Sequence, residues 1–133
     1  MASPLTAANI RSYLVNTTGL ASVSINQMNP TPINQYAVIE YPGPPDVKTH
    51  GTGNPKTPAL DMAHVQVLAR HTSAQTARDN IRTVVDALDG LSDTTINSVV
   101  YTYIELISQP RIFERAEDGS CIFLAEFQCQ SRR

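Results

Sequence analysis

The sequence predicts one α+β domain over residues 1–133, with a mixed, largely antiparallel sheet of about six strands and two helices packed on one face. Two segments repeat apolar side chains at helical spacing, and further short segments alternate them or are rich in β-branched residues. The predicted order is helix, three strands, helix, three strands. A chain of 133 residues fits a single domain and buries about two-thirds of the surface that the unfolded chain exposes.

The first helix is predicted over residues 4–16. Ser3 is suited to the N-cap, and Pro4 to the first helical position, where the missing N–H is not needed. One face of this helix is therefore expected to be buried. Its apolar residues at helical spacing are Ala7, Ile10, Tyr13 and Leu14.

Two strands are predicted between this helix and a long loop. Residues 20–27 alternate apolar and polar side chains, which is typical of a half-buried strand with Val23 and Ile25 on its inner face. Residues 35–41 follow a breaker that contains two prolines. The side chains expected on one face of this second strand are Ala37, Ile39 and Tyr41.

Residues 42–58 are predicted to form a long loop, because they contain five prolines, three glycines and little apolar content. Loops of this length in a compact domain are usually functional or disordered, so the loop is the first place to look for a partner-binding element. A loop that connects two strands and has no further role is the alternative. The candidate contact residues in it are Asp46, Val47, Lys48, His50 and Lys56.

Residues 59–71 are predicted to form a strand that leads directly into the second helix. A capping box is predicted at the start of the helix, in which Thr72 accepts from the backbone and the Gln75 side chain reaches back. Gly90 suits the left-handed cap at its end. One strand face carries Ala63, Val65, Val67 and Ala69, and the other Met62, His64, Gln66, Leu68 and Arg70. The predicted buried stripe of the helix is Ala74, Ala77, Ile81, Val84, Val85 and Leu88.

Three strands are predicted after the second helix, over residues 95–108, 111–115 and 120–130. Pro110 separates the first two, and Glu117-Asp118-Gly119 is a hairpin turn signal before the third. Cys121 and Cys129 would lie roughly 26 Å apart along the last strand at 3.3 Å per residue, too far for a disulfide. Two buried thiols are therefore expected.

The composition and the spacing of candidate functional residues argue against an enzyme, a metalloprotein or a protein that binds DNA tightly. The net charge of −2 gives no electrostatic footprint for nucleic acid or membrane, and no apolar run is long enough to span a bilayer. His50, His64 and His71 lack the spacing of metal ligands. Neither a phosphate-binding loop nor a nucleophile turn is present. No catalytic residue, metal ligand or cofactor is predicted.

The sheet face opposite the helices is predicted to be more apolar than solvation requires, and exposed apolar patches often mark interfaces. The residues that predict an interface on this face are Met62, Leu68, Ile122 and Leu124.

Two stretches resemble bacteriophage tail terminator proteins, also called minor capsid or tail completion proteins. One is the strand VQVLAR with its polar turn and the helix ARDNIRTVVDALDGL, and the other is the Asp-Gly hairpin that leads into FLAEFQ. The resemblance covers nearly the whole order of elements. It implies a virion protein of the tail or neck, assembled in the host cytoplasm as a ring, usually a hexamer.

The resemblance also implies partners. Such a ring caps the head-proximal end of the tail tube, halts polymerisation of the tail tube protein and docks to the head–tail connector protein, while DNA passes through its hole without specific binding. A near-neutral chain agrees with that passage. A head-side connector or stopper protein is the first alternative. A small enzyme or ligand-binding domain is the second, and a deep apolar pocket with convergent polar groups would distinguish it.

Overall fold

The computed structural model describes residues 6–20, 22–30, 33–41, 60–117 and 119–132. The loop predicted over residues 42–58, with all five of its candidate contact residues, lies outside the described residues. The described elements, in chain order, are α1 Thr6–Thr18, β1 Val23–Ile25, β2 Gln35–Tyr41, β3 Leu60–His71, α2 Ala74–Leu88, β4 Leu91–Ile96, β5 Val99–Arg115 and β6 Cys121–Arg132.

The strands of the described residues form one six-stranded sheet in the order β1-β2-β3-β6-β5-β4. Only β1 and β2 pair in parallel, and the other neighbours are antiparallel. The predicted α+β class and mixed, largely antiparallel sheet are therefore confirmed. The central pair is β3 with β6, whose register runs from Leu60 opposite Arg132 to His71 opposite Cys121.

The main core lies between the two helices and one face of the sheet. The stripe of α2 faces this core, as its helical spacing predicts, while Arg78 and Arg82 remain on the exposed side. Val65 and Val67 of β3 contribute from the sheet. The largest core side chains, each less than 2% exposed, include Ile10, Leu14, Ile81, Leu88, Tyr101, Ile104 and Phe127.

Hydrogen bonds join α1 to β5 and to the turn between β4 and β5. Asn9 donates to the Tyr101 hydroxyl at 2.8 Å and accepts at 3.0 Å from the Asn97 side chain. Tyr101 is 1% exposed, so its hydroxyl needs such a partner. Burial raises the pKa of Tyr101, although hydrogen bonds with Thr6 and Asn9 act in the opposite direction.

The predicted bounds of β1 and the predicted N-cap of α2 were wrong. The strand predicted over residues 20–27 is regular only at Val23–Ile25, because Ser22 and Asn26 adopt positive φ values of 59° and 62°. The N-cap of α2 is Ser73, whose hydroxyl accepts from the Thr76 N–H at 3.3 Å. Thr72 is therefore not the cap, and Gln75 donates forward to Asp79 at 3.1 Å.

The prediction of one continuous strand over residues 95–108 is also wrong, because a turn divides this segment between β4 and β5. Asn97 and Ser98 have φ values of 50° and 68°, which is the two-residue hairpin turn that suits the twist of antiparallel strands. The residues before it form β4, an element that the sequence prediction omitted. The polar sequence of Leu91–Ile96 does not show the apolar alternation of a strand, because half of its side chains are exposed.

Pro110 does not end a strand, so the separate strand predicted over residues 111–115 is part of β5. Beyond Ile104, β5 pairs with β6 alone and its other edge has no strand partner in the described part of the chain. Proline is tolerated at such an edge because no ladder hydrogen bond is required there. The register also shifts on both sides of Pro110.

The two thiols are free and buried, as predicted. Cys121 and Cys129 lie on the helix-packed face of β6, each 1% exposed. Burial raises the pKa of the Cys129 thiol to about 12, and the charge of Glu40 acts in the same direction. The reactive thiolate is therefore strongly disfavoured at Cys129.

We expect neither thiol to react with a thiol-specific disulfide reagent at pH 8 in the native protein, whereas both should react rapidly in guanidinium chloride. The absorbance of the thiolate that the reagent releases would measure the number of thiols that react. The variant Thr95→Cys, at an exposed position of β4, should add one rapidly reacting thiol as a control. Reaction of a native thiol at the rate of this control would contradict the burial.

Candidate subunit interface

The sheet face opposite the helices carries a small apolar cluster of its own. Ala37, Leu68 and Leu124 form it and are 0%, 4% and 2% exposed. Met28, Ile39 and Ile122 pack against them and are only partly buried. The side chains of Leu68 and Leu124 are thus covered within one chain, and this face offers less exposed apolar surface than its sequence indicates.

The turn between β1 and β2 is held beside this cluster by Arg70. The guanidinium donates to the carbonyls of Ile33, Asn29 and Pro30 at 2.8, 2.6 and 3.2 Å. The Gln35 side chain, itself only 2% exposed, bonds both the N–H and the carbonyl of Asn29. These bonds keep Met28 within reach of Leu68 and Leu124, which explains burial that strand alternation alone does not predict.

The four interface residues predicted on this face do not form one patch. Leu68, Ile122 and Leu124 belong to the cluster, but Met62 lies six residues from Leu68 along β3, roughly 20 Å at 3.3 Å per residue. Its sulfur accepts from Gln130 at 3.3 Å. Contact of these residues with a neighbouring subunit stays a prediction.

Polar side chains around Glu126 lie between Met62 and the apolar cluster on the sheet face opposite the helices. Glu126 accepts from Arg111 at 3.0 Å and from Gln66 at 3.1 Å, and His64 lies 3.5 Å from its second oxygen. Partial burial raises the pKa of Glu126, but Arg111, Gln66 and His64 together hold it below its usual value. This carboxylate ties β3, β6 and β5 together and is not arranged as a metal site.

The most exposed apolar side chains of the described residues lie on β5. Ile107, Ile112 and Phe113 are 42%, 45% and 56% exposed. Phe113 occupies a register shift between Ile112 and Glu114, so neither sheet face covers it. Residues 111–115 were predicted to form a strand, but the exposure of their apolar side chains was not predicted. The available signal was two adjacent apolar residues, Ile112 and Phe113, which cannot both face one core.

A groove lies beside this edge, between α2 and β5, where β4 no longer pairs with β5. We call it the α2–β5 groove. It has a volume of about 350 Å³ and is lined by Arg78, Arg82, Val85, Asp86, Leu106, Gln109, Pro110 and Phe123. Neither arginine forms an ion pair with another described residue. The groove therefore combines apolar side chains with two guanidinium groups and the Asp86 carboxylate.

The described residues contain no group of three or more His, Cys, Asp or Glu side chains that could hold a metal ion. His64 faces Glu126, and His71 accepts from the Ser73 N–H at 3.0 Å, so these two imidazoles are in separate local contacts. His50 lies outside the described residues. Within the same part of the chain, no helix is both long and apolar enough to cross a bilayer.

The fold is similar to that of a protein chain in a solved structure described as the virion of a native gene transfer agent particle. The TM-score is 0.59, the alignment covers 96% of this chain and 94% of that chain, and 13% of the residues are identical. At this identity the likeness shows a shared fold. None of the curated proteins compared with the chain matches it.

Residues 37–132 match the family described as bacteriophage tail terminator protein. The match covers most of the chain, including five of the six strands of the sheet and α2. This chain belongs to the bacteriophage tail terminator family. It is a structural protein of the virion and not an enzyme, and it has its role in the phage tail together with other tail or head proteins.

The Glu126 contacts predict a pH-dependent contribution to stability. Because the folded-state pKa lies below the ordinary value of 4.5, the contribution is complete above that pH and is lost as the pH falls through the folded-state pKa. Glu126→Gln should lower the free energy of unfolding by about 1 kcal/mol at pH 7, screening by solvent included, and by less at pH 3.

Urea unfolding at the two pH values measures the difference. Glu105→Gln, at an exposed position on β5, is the matched control and should have little effect at either pH. Equal losses of stability for Glu126→Gln at pH 7 and pH 3 would show that the charge of Glu126 is not what stabilises the sheet.

Proposed function

We propose that this protein forms a closed ring of identical subunits, a hexamer, which caps the head-proximal end of the tail tube. The observation that carries the proposal is the family match over residues 37–132. In this role the ring stops addition of tail tube protein and presents a docking face to the head–tail connector protein. DNA passes through the central hole.

The surfaces of the described residues support a role in assembly. Ile112 and Phe113 are exposed at one edge of the sheet, next to a groove that is lined in part by apolar side chains. Repeated head-to-tail contacts between different surfaces of one chain close into a ring when the rotation permits. The net charge of −2 supports passage of DNA without tight binding, since Lys and Arg drive nonspecific DNA affinity.

A phage that lacks this protein tests the capping function. We expect tail tubes of uncontrolled length that are detached from heads, because nothing ends polymerisation or joins the two parts. Electron microscopy of the lysate measures tube length and joining. Tubes of normal length that fail to join heads would indicate a head-side connector, and tubes of normal length joined to heads would contradict both functions.

We propose further that residues 42–58 contact a neighbouring subunit, the tail tube or the connector. The support is their composition, rich in proline and glycine and poor in apolar residues, which is typical of segments that order on binding. Deletion of residues 46–54 should leave the melting temperature nearly unchanged and lower the yield of joined particles. Plaque titre and electron microscopy measure that yield, and normal titre would show that the segment is dispensable.

A further inference from the structure

We propose that the α2–β5 groove receives the turn segment of a second copy of this chain, residues 113–117. Phe113 enters the groove, and Glu114 and Glu117 face Arg78 and Arg82. This inference rests on the proposed ring, since it assigns the contact between ring neighbours, and it gives each subunit one receiving and one inserting surface.

The groove has the composition of a receiving surface. Val85, Leu106 and Phe123 line it and are only partly buried, so apolar surface remains open to solvent within a volume of about 350 Å³. Ligand pockets in proteins begin at about 300 Å³, so the groove has room for one aromatic side chain. At the rim, Arg78 and Arg82 are exposed on successive turns of α2 and form no ion pair with a described residue.

The turn segment has the complementary composition. Phe113 is 56% exposed, the largest exposure of any large apolar side chain among the described residues. Aromatic residues are enriched at the centres of interfaces, where they bury much surface for little loss of side-chain freedom. Glu114 and Glu117 are also exposed, with the exposed Arg115 between them, so the segment carries two acidic side chains and one basic side chain. Opposite charges on the two surfaces favour this orientation.

The edge of β5 favours insertion of side chains over addition of a strand. Pro110 lacks a backbone N–H, and the register with β6 shifts between Leu106 and Ser108, between Ser108 and Arg111, and again beyond Ile112. Proline and bulges are the devices by which proteins block edge-to-edge pairing. A neighbour can therefore use the groove beside this edge without extending the sheet.

A second copy is the occupant because both surfaces exist on every chain. A contact between two different surfaces of identical subunits leaves one of each surface free, so it repeats until the assembly closes. The turn segment, with two acidic side chains and one basic side chain, and the groove, with two arginines and Asp86, then pair at every interface. A different virion protein in the groove is an outcome that the experiment below distinguishes.

Charge exchange tests the contact. Arg78→Glu with Arg82→Glu, and separately Glu114→Arg with Glu117→Arg, should each weaken subunit association at least about tenfold, as expected for like charges at an interface. The variant with all four changes restores opposite charges and the original net charge of −2, and should regain assembly. Light scattering of the purified chain and subunit copies per particle measure association.

A second pair of variants tests the apolar anchor. Phe113→Ser should weaken association at least about tenfold, the loss typical of a central aromatic contact. Ile107→Ser is the matched control, because Ile107 is 42% exposed on the same strand but lines a separate pocket with Met62 and His64. Ile107→Ser should assemble normally. Equal melting temperatures would show that all variants fold.

The outcomes distinguish failure of the groove contact from failure of the proposed ring. Association of the two double variants and of Phe113→Ser at wild-type strength overturns the contact while leaving the proposed ring in place. Normal association with a loss of joining to heads or tubes also overturns it, because the groove then serves another partner. A wild-type chain that is monomeric in solution and present as one copy per particle contradicts the proposed ring itself.

Discussion

The antiparallel pairing of β3 with β6 is the constraint on which the rest of the structure depends. Its register joins twelve residue pairs across the middle of the sheet, from Leu60 opposite Arg132 to His71 opposite Cys121. A shift by one residue would exchange the two faces of a strand, moving Val67 out of the core and Leu68 into it. β2 and β5 take their positions from this pair, and both helices pack on the face that it presents.

The groove follows from the unequal lengths of the strands built around that pair. β5 has 17 residues and pairs with β6 from Tyr101 to Arg115, whereas β4 has 6 residues and pairs with β5 only as far as Ile104. The remainder of β5 is an edge of the sheet. α2 lies near this edge but leaves the α2–β5 groove open to solvent. Exposed apolar residues thus remain at one side of a domain whose core is otherwise well covered, which is what an assembly subunit requires.

The local pattern of apolar residues correctly predicted the buried face of a segment where that segment packs on a single core. The helical stripe of α2 and the alternation in β6 predicted their buried faces, because both elements pack on a single core. The prediction failed where a partner decides the outcome. Pro110 is tolerated because β5 is an edge there, and Leu68 is buried because Arg70 holds a turn beside it. No periodicity within a segment contains that information.

The proposed function makes this tail terminator a ring of identical subunits that are joined by surface contacts and not by reactive side chains. Cryo-electron microscopy of the head–tail junction in intact particles tests it most directly. We expect one closed ring of this chain, with sixfold symmetry, between the tail tube and the connector. A single copy of the chain, an open arrangement, or a location away from the head-proximal end of the tube would contradict it.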